Sequence, residues 1–300
     1  MLAERIQQFL QRRRAGQRLV IGLPFSWLVV MTAIPALIIL QFSISQLDVA
    51  TMVKPWSLAD GVLSVKIDFN KYIFLFSDSL YLAAYLSSLK YAVLNTVLCL
   101  VIAYPFAYFM ARSAENLRPS LLMAVMLPFW TSFLIRIYSW KGLLANNGVI
   151  NNLLLSAGLI DAPLHMMNTP FSLTLGMVYT YLPFMILPLY TNLQKLDLRL
   201  LEAAADLGSR PWQTFWRITV PLSVNGIVAG SMLVFIPSVG EYVIPELLGG
   251  PETLMIGRVL WDEFFGNNDW AMASAVAAVM ILLILGPMAV FNKFQDREAK

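Results

Sequence analysis

Apolar residues run through this chain in stretches longer than a globular core needs, and polar residues gather in the intervals between them. A helix needs about 20 mostly apolar residues to cross roughly 30 Å of hydrocarbon. Six stretches meet that length, at about 19–42, 90–111, 119–140, 170–193, 221–245 and 270–292. They predict an all-α polytopic membrane fold with six transmembrane helices. The first stretch is too long for the apolar part of a cleaved secretory signal and ends in QFSISQ without a small-residue cleavage site. It is therefore expected to stay in place as a span.

Lys and Arg in the connections set the orientation of such a chain. Arg5, Arg12, Arg13, Arg14, Arg18, Arg112, Arg118, Lys195, Arg199, Arg210, Arg217, Lys293, Arg297 and Lys300 fall on one side and make up 14 of the 21 basic residues. Both termini and the 195–220 loop are thus expected in the cytoplasm. The opposite connections hold Asp48, Asp60, Asp68, Asp78, Asp161, Glu246, Glu252, Asp262, Glu263 and Asp269 against Lys54, Lys66, Lys71, Lys141 and Arg258, which predicts an acidic outer face. The expected organisation is a cytoplasmic segment at 1–18, one membrane domain at 19–293 and a cytoplasmic tail at 294–300. Within the membrane domain lie a periplasmic connection at 41–89 and the inner loop at 195–220.

Composition removes several function classes. Only 13% of residues are charged and 58% are hydrophobic, too little charge for a dispersed soluble domain of 300 residues. Cys99 is the single cysteine, which excludes a disulfide framework or a thiolate metal site. His165 is the single histidine, which excludes paired-histidine metal motifs. Cys99 reads as a small packing residue and His165 as an outer-loop surface residue.

The loop between the fourth and fifth stretches is polar and basic, and reads EAAADLGSRPWQTFWRITVP over 202–221. Asp197 is placed to cap a helix through Leu200–Leu207, and Gly208 suits the left-handed residue that ends it. Ser209 is then expected to cap a second helix with Pro211 in its first turn, where a missing N–H costs little. Ala203, Ala204 and Ala205 would offer a low-relief surface, Glu202 could meet a cation, and Trp212, Phe215 and Trp216 could bury against the chain's own helix ends. The plainer alternative is an amphipathic turn packed under the bundle.

The same loop fits the pattern E-A-A-x3-G-x9-I-x-[L/V]-P through Glu202, Ala203, Ala204, Gly208, Ile218 and Pro221, with Val220 where Leu is common. It resembles the EAA loop of permease subunits of binding-protein-dependent ABC importers. PFWTSFLIRIYSW (128–140), LLANNGVINNLL (143–154), GSMLVFIPSVGEYVIPELLGG (230–250) and MIGRVLWDEFFGNNDWAMASAV (255–276) resemble the polyamine permeases of that family, most closely the first permease of putrescine importers. The resemblance implies Glu202, Ala203, Ala204, Asp206 and Gly208 as ATPase-coupling residues. It implies as partners a second permease in a heterodimer, two copies of a cytoplasmic ATPase and a periplasmic binding protein, with no nucleic acid. It further implies that this chain catalyses nothing and binds no cofactor or metal itself, while ATP and Mg are used by the ATPase. The absence of a G-x-x-x-x-G-K-[S/T] loop from the chain agrees with that division of labour.

A cationic polyamine crossing a low-dielectric region needs carboxylates and aromatic faces in place of water. Glu241, read as lying within the fifth span after Pro237 and Gly240, is the leading candidate for the substrate path. Its alternatives are a helix-end carboxylate or a partner for Arg136. Trp130, Tyr138, Tyr179, Tyr181 and Ser132 are the further path candidates, with packing or interfacial roles as their alternatives, and Thr131 is a weaker one. Asp262, Glu263 and Asp269 could attract a cation, contact the binding protein or simply be solvated, and Gly257–Glu263 could form a re-entrant or gate-side helix. Permeases for spermidine, iron(III), sulfate or amino acids share the loop pattern and stay open. A secondary transporter would more often show internal repeats, and a membrane enzyme a nucleophile motif; neither occurs here.

Overall fold

The computed structural model describes the backbone of residues 2–298 except 49–50, 54–55, 60–61 and 66, and the side chains of residues 20–45 and 67–289. Arg5, Arg12, Arg13, Arg14, Arg18, Lys293, Arg297 and Lys300, with Asp48, Lys54, Asp60 and Lys66, carry part of the charge argument and lie outside the described side chains.

Helix α1 (Leu2–Ser43) carries the first apolar stretch over Val20–Ser43. The connection after it contains two antiparallel hairpins, β1 (Gln46–Asp48) with β2 (Thr51–Val53) and β3 (Trp56–Ala59) with β4 (Val62–Val65). Strands of three or four residues are too short to leave a readable alternation, so the sequence predicts none. The other regular elements among the described residues are helical, the α-helices being α2 (Asn70–Ser77), α3 (Ser79–Arg112), α4 (Arg118–Met126), α5 (Phe133–Leu144), α6 (Val149–Ser156), α7 (Pro170–Gln194), α8 (Arg199–Asp206), α9 (Pro211–Thr214), α10 (Val220–Leu222), α11 (Val224–Val239), α12 (Val243–Leu248), α13 (Ile256–Trp261) and α14 (Trp270–Glu298). Among the described residues, α1, α3, α7 and α14 are long and apolar enough to cross a membrane unbroken, and two bent pairs raise the total to as many as six.

The second span begins earlier than 90. Asp78 accepts from the Leu80 N–H at 2.8 Å and caps α3 there, so the helix already runs for three turns before Lys90. The third stretch does not form a continuous helix. After α4 the chain tightens into a 3₁₀ turn at Leu127–Trp130, Thr131 is extended, and α5 leaves at 85°. Pro128 lacks an N–H, so the hydrogen-bond ladder of α4 cannot continue through it; Leu127 stays helical, and the chain leaves helical geometry at Thr131. The fifth stretch bends by 64° at Ser223, and α11 stops at Val239, short of the expected 245.

Two compact units divide the chain: residues 1–74 with 268–279, and residues 75–267 with 280–300. In the first, Tyr72 Oη donates to Ser43 Oγ at 2.7 Å and ties α2 to the end of α1. The core of the second lies where α3, α7 and α11 pack together, around Cys99, Met110, Met177, Met185, Leu189 and Val234. Apolar packing alone gives little register between helices in lipid, and short polar contacts supply it. Asn95 Nδ2 donates to Ser238 Oγ at 2.8 Å, and Tyr104 Oη lies 2.8 Å from Ser223 Oγ, so α3 is pinned to both ends of α11. At the far end Ser172 Oγ donates to the Leu248 carbonyl at 2.6 Å, and Ser88 Oγ accepts from the Ile256 N–H at 2.7 Å. These bonds hold α12 and α13 against the long helices.

One close approach is more demanding. A Cβ on Gly257 would stand 2.5 Å from the Glu241 carbonyl oxygen and 2.6 Å from that of Gly240, so only glycine lets α13 meet the backbone where α11 ends. Gly257→Ala is expected to cost about 1–3 kcal/mol through overpacking. The check is the temperature at which detergent-solubilised protein loses its monodisperse peak; an unchanged midpoint would mean that this backbone contact yields easily.

Candidate functional site

Two places in the second unit gather the residues singled out in the sequence. The first is the loop after α7. Asp197 Oδ1 accepts from the Arg199 N–H at 3.0 Å and starts α8 as expected. Gly208 ends it at φ +79°, with the Ser209 N–H returning to the Ala204 carbonyl at 2.9 Å and the Gly208 N–H to that of Ala205 at 2.8 Å. That closure satisfies the last carbonyls of the helix and requires a residue free to take positive φ.

The second helix starts one residue later than expected. Ser209 is not its cap: its hydroxyl accepts from Thr214 Oγ1 at 3.0 Å, while the Arg210 N–H is satisfied by Gln213 Oε1 at 3.1 Å. Pro211 occupies the first turn of α9, and the chain continues through a π-helical turn at Phe215–Thr219 into α10. Phe215 behaves as expected, meeting Tyr104 and Tyr108 of α3 edge-on at 5.5 and 6.2 Å. Trp212 and Trp216 do not bury; Trp212 is 69% exposed, and the two indoles pack on each other at 5.5 Å. Phe215 turns inward, and the two indoles lie on its outer side, Trp212 stacked at 6.2 Å and Trp216 edge-on at 5.4 Å.

The face that α8 presents is also not the one the triple alanine suggested. Ala204 is buried beneath the helix, and Glu202, Ala203, Ala205 and Asp206 are exposed. Leu207 is 88% exposed at the tip, a residue that sequence reading passed over although it stands immediately before the turn glycine. The loop thus offers two carboxylates, small residues and the large apolar side chains of Leu207, Trp212 and Trp216 on a hairpin stiffened by its own caps. A surface of that mixture suits a protein partner better than water.

The second place is where α5, α7 and α12 meet. Glu241 is not within the fifth span. It lies in the break between α11 and α12, where Gly240 ends the helix. Its Oε1 accepts from the Val243 and Ile244 N–H groups at 3.1 and 3.4 Å and caps α12, and its Oε2 accepts from the Tyr181 hydroxyl. The carboxylate therefore draws together two free backbone donors and a buried phenol from α7.

Of the two alternatives for Glu241, the helix-end carboxylate describes its place and the pairing with Arg136 is not formed. The guanidinium lies over the rings of Phe129 and Phe133, 4.7 and 6.0 Å from their centroids, and its Nε and Nη1 are buried without an acceptor. Phe129 meets Phe184 at 5.3 Å, and Phe184 lies 6.3 Å from Tyr181. Arg136 and Glu241 thus stand at opposite ends of an aromatic row, each beside a break in a span. Phe129 and Phe184 were missed as single residues; their signal was adjacency to Pro128 and Pro183 inside apolar stretches.

The remaining candidates are not gathered with Glu241. Tyr179 packs edge-on against Trp140 at 5.5 Å and lines an apolar pocket with Phe106 and Pro128. Trp130 is 74% exposed, and Tyr138, Thr131 and Ser132 are exposed as well, because the 85° bend turns this segment outward from the three-helix core. The Thr131 hydroxyl donates to the Pro128 carbonyl at 2.8 Å, a local turn contact. Near α13, Glu263 accepts from Tyr81 Oη and Asn267 Nδ2, Asp262 is exposed, and Arg258 pairs with Glu246 at 2.8 Å. In the other unit Asp269 accepts from the Met272 N–H at 2.8 Å as a helix cap. The Gly257–Glu263 stretch is the short α13 running into a π turn at Asp262–Gly266. Cys99 is buried and His165 exposed, as expected.

Comparison with known proteins places this geometry. A family model described as the binding-protein-dependent transport system inner membrane component matches residues 115–299. The chain is 38% identical over 287 residues to the spermidine/putrescine transport system permease protein PotB of Haemophilus influenzae, covering 95% of this chain and 96% of that one. It is 40% identical over 262 residues to the protein of the same name from Escherichia coli (strain K12), covering 87% and 91%. Its fold is that of a chain in the crystal structure of a bacterial alginate ABC transporter in complex with an alginate pentasaccharide-bound periplasmic protein, with a TM-score of 0.72 at 18% identity and 97% of each chain covered.

Proposed function

Because the chain belongs to the family of binding-protein-dependent transport system inner membrane components, we propose that it is the permease subunit of an ATP-driven importer for polyamines. The observation that carries this reading is identity at 38% across nearly the whole chain with a permease protein named for spermidine and putrescine. Putrescine is the narrower proposal, from the resemblance of 128–154 and 230–276. The chemistry of the second site supports the class: a carboxylate at a helix break, a phenol and an aromatic row are what a desolvated ammonium requires.

In this proposal the chain pairs with a second permease, receives its amine from a periplasmic binding protein and performs no reaction. Two copies of a cytoplasmic ATPase bind and hydrolyse ATP with Mg. The 195–220 loop and both termini face the cytoplasm, within the organisation of segment, membrane domain and tail expected from the charges. Glu202, Ala203, Asp206 and the turn at Gly208 meet the ATPase, with Ala204 supporting them from beneath. The hairpin is rigid, Phe215 couples it to α3, and α10 leads at the Ser223 bend into α11, whose end carries Glu241. Movement of the hairpin would therefore be felt at the break that holds Glu241. Nucleotide closure draws the two coupling hairpins together and rocks the permeases outward; hydrolysis returns them.

The test is uptake of labelled putrescine by the assembled transporter in membrane vesicles. Unlabelled putrescine and spermidine should compete, and sulfate, iron(III) and amino acids should not. Competition by an inorganic ion, or uptake driven by an ion gradient without the ATPase, would overturn the proposal.

A further inference from the structure

We infer that Arg136 is the charge-selective element of the polyamine route: a fixed guanidinium that limits how many ammonium groups can rest along the aromatic row ending at Glu241. This rests on the proposed function and assigns a specificity residue to it. Arginine stays protonated in proteins, so its charge must be met by an anion, by water or by ring faces. Here the Phe129 and Phe133 rings supply that environment, and Nε and Nη1 have no acceptor, so nothing in the described residues neutralises it. The same Phe129 continues through Phe184 to Tyr181, whose hydroxyl donates to Glu241. One end of the row attracts a cation. The other is already occupied by one that belongs to the protein.

An amine entering such a row gains from the carboxylate with its first ammonium. Each further ammonium that reaches toward Phe129 meets like charge across apolar surroundings, where repulsion is screened far less than in water. The penalty therefore grows with the number of charges on the amine and with its reach, and a monoamine is nearly blind to it. A purely structural arginine would have no such graded effect.

The experiment uses the assembled transporter with Arg136→Gln, Arg136→Met and Arg136→Lys, and measures KM and kcat for labelled spermidine, putrescine and butylamine. Methionine fills the space between the two rings without a donor to satisfy, so it serves where the glutamine variant folds poorly. In both neutral variants the spermidine KM should fall about tenfold, the putrescine KM less, and the butylamine KM hardly at all. The lysine variant should keep the wild-type order. Equal changes for the three amines, no change, or a lysine variant that behaves like the neutral ones would overturn the inference. Loss of assembly in both neutral variants would mark Arg136 as an anchor and overturn it too. Failure of the wild-type transporter to take up either polyamine sinks the proposed function itself, which is a separable outcome.

Discussion

Glu202→Lys is expected to reduce polyamine uptake and substrate-stimulated ATP hydrolysis by about a hundredfold or more, with the chain still inserted and assembled with its second permease. Glu202 is exposed on α8, and its side chain makes no ion pair among the described residues, so reversing its charge removes nothing that holds this chain together. The caps that shape the hairpin come from Asp197, Gly208 and Gln213 and are untouched. The loss must then arise at the surface of another subunit, where a lysine would face the cation that the glutamate is proposed to meet. Like-charge contact at an interface acts on both affinity and orientation. The measurement is ATP hydrolysis in proteoliposomes with and without loaded binding protein, beside a pull-down of the ATPase. Normal stimulation with normal uptake would remove the coupling role of the loop.

Glu241→Gln should lower diamine uptake by about tenfold or more, chiefly by removing a negative charge. The substitution is chosen because the geometry survives it. A glutamine oxygen can still accept from the Val243 and Ile244 N–H groups, and its NH2 can donate to the Tyr181 oxygen, which is able to accept. Glu241→Ala differs: it also leaves the first turn of α12 uncapped, at a cost of about 1 kcal/mol. Thermal stability should therefore separate the two variants, alanine falling and glutamine holding, while uptake falls in both. Unchanged putrescine uptake in Glu241→Gln would reduce the residue to a helix cap and leave the route without its proposed anion.

The mutual geometry of these residues shows where sequence reading reaches its limit. Gly208 was legible because a turn that ends a helix imposes positive φ on one residue, a local demand with a local signature. Ser209 was misassigned for a related reason: cap preference cannot distinguish two adjacent starting points when a downstream glutamine reaches back to the backbone. The breaks in the third and fifth stretches left only prolines and glycines as hints, since an apolar window averages over a bend. Arg136 and Glu241 attract on paper, yet each found a local partner first, one in aromatic faces and the other in free N–H groups at a helix end.

What the chain determined by itself follows from transfer free energy and local backbone chemistry. The long apolar stretches require membrane helices, the Lys and Arg bias predicts their orientation, and the spacing through Glu202, Gly208 and Pro221 marks the hairpin after α7. What only the tertiary structure decided is which side chains meet. Three helices converge to place Tyr181 on Glu241, the bend at Thr131 turns Trp130 and Tyr138 outward, and Gly257 admits α13 to the end of α11. Those contacts depend on helix rotation and crossing within the bundle, and in lipid nearly every apolar face is equally soluble. A hydropathy pattern therefore tells which segments cross, while packing and a few buried polar bonds choose their partners.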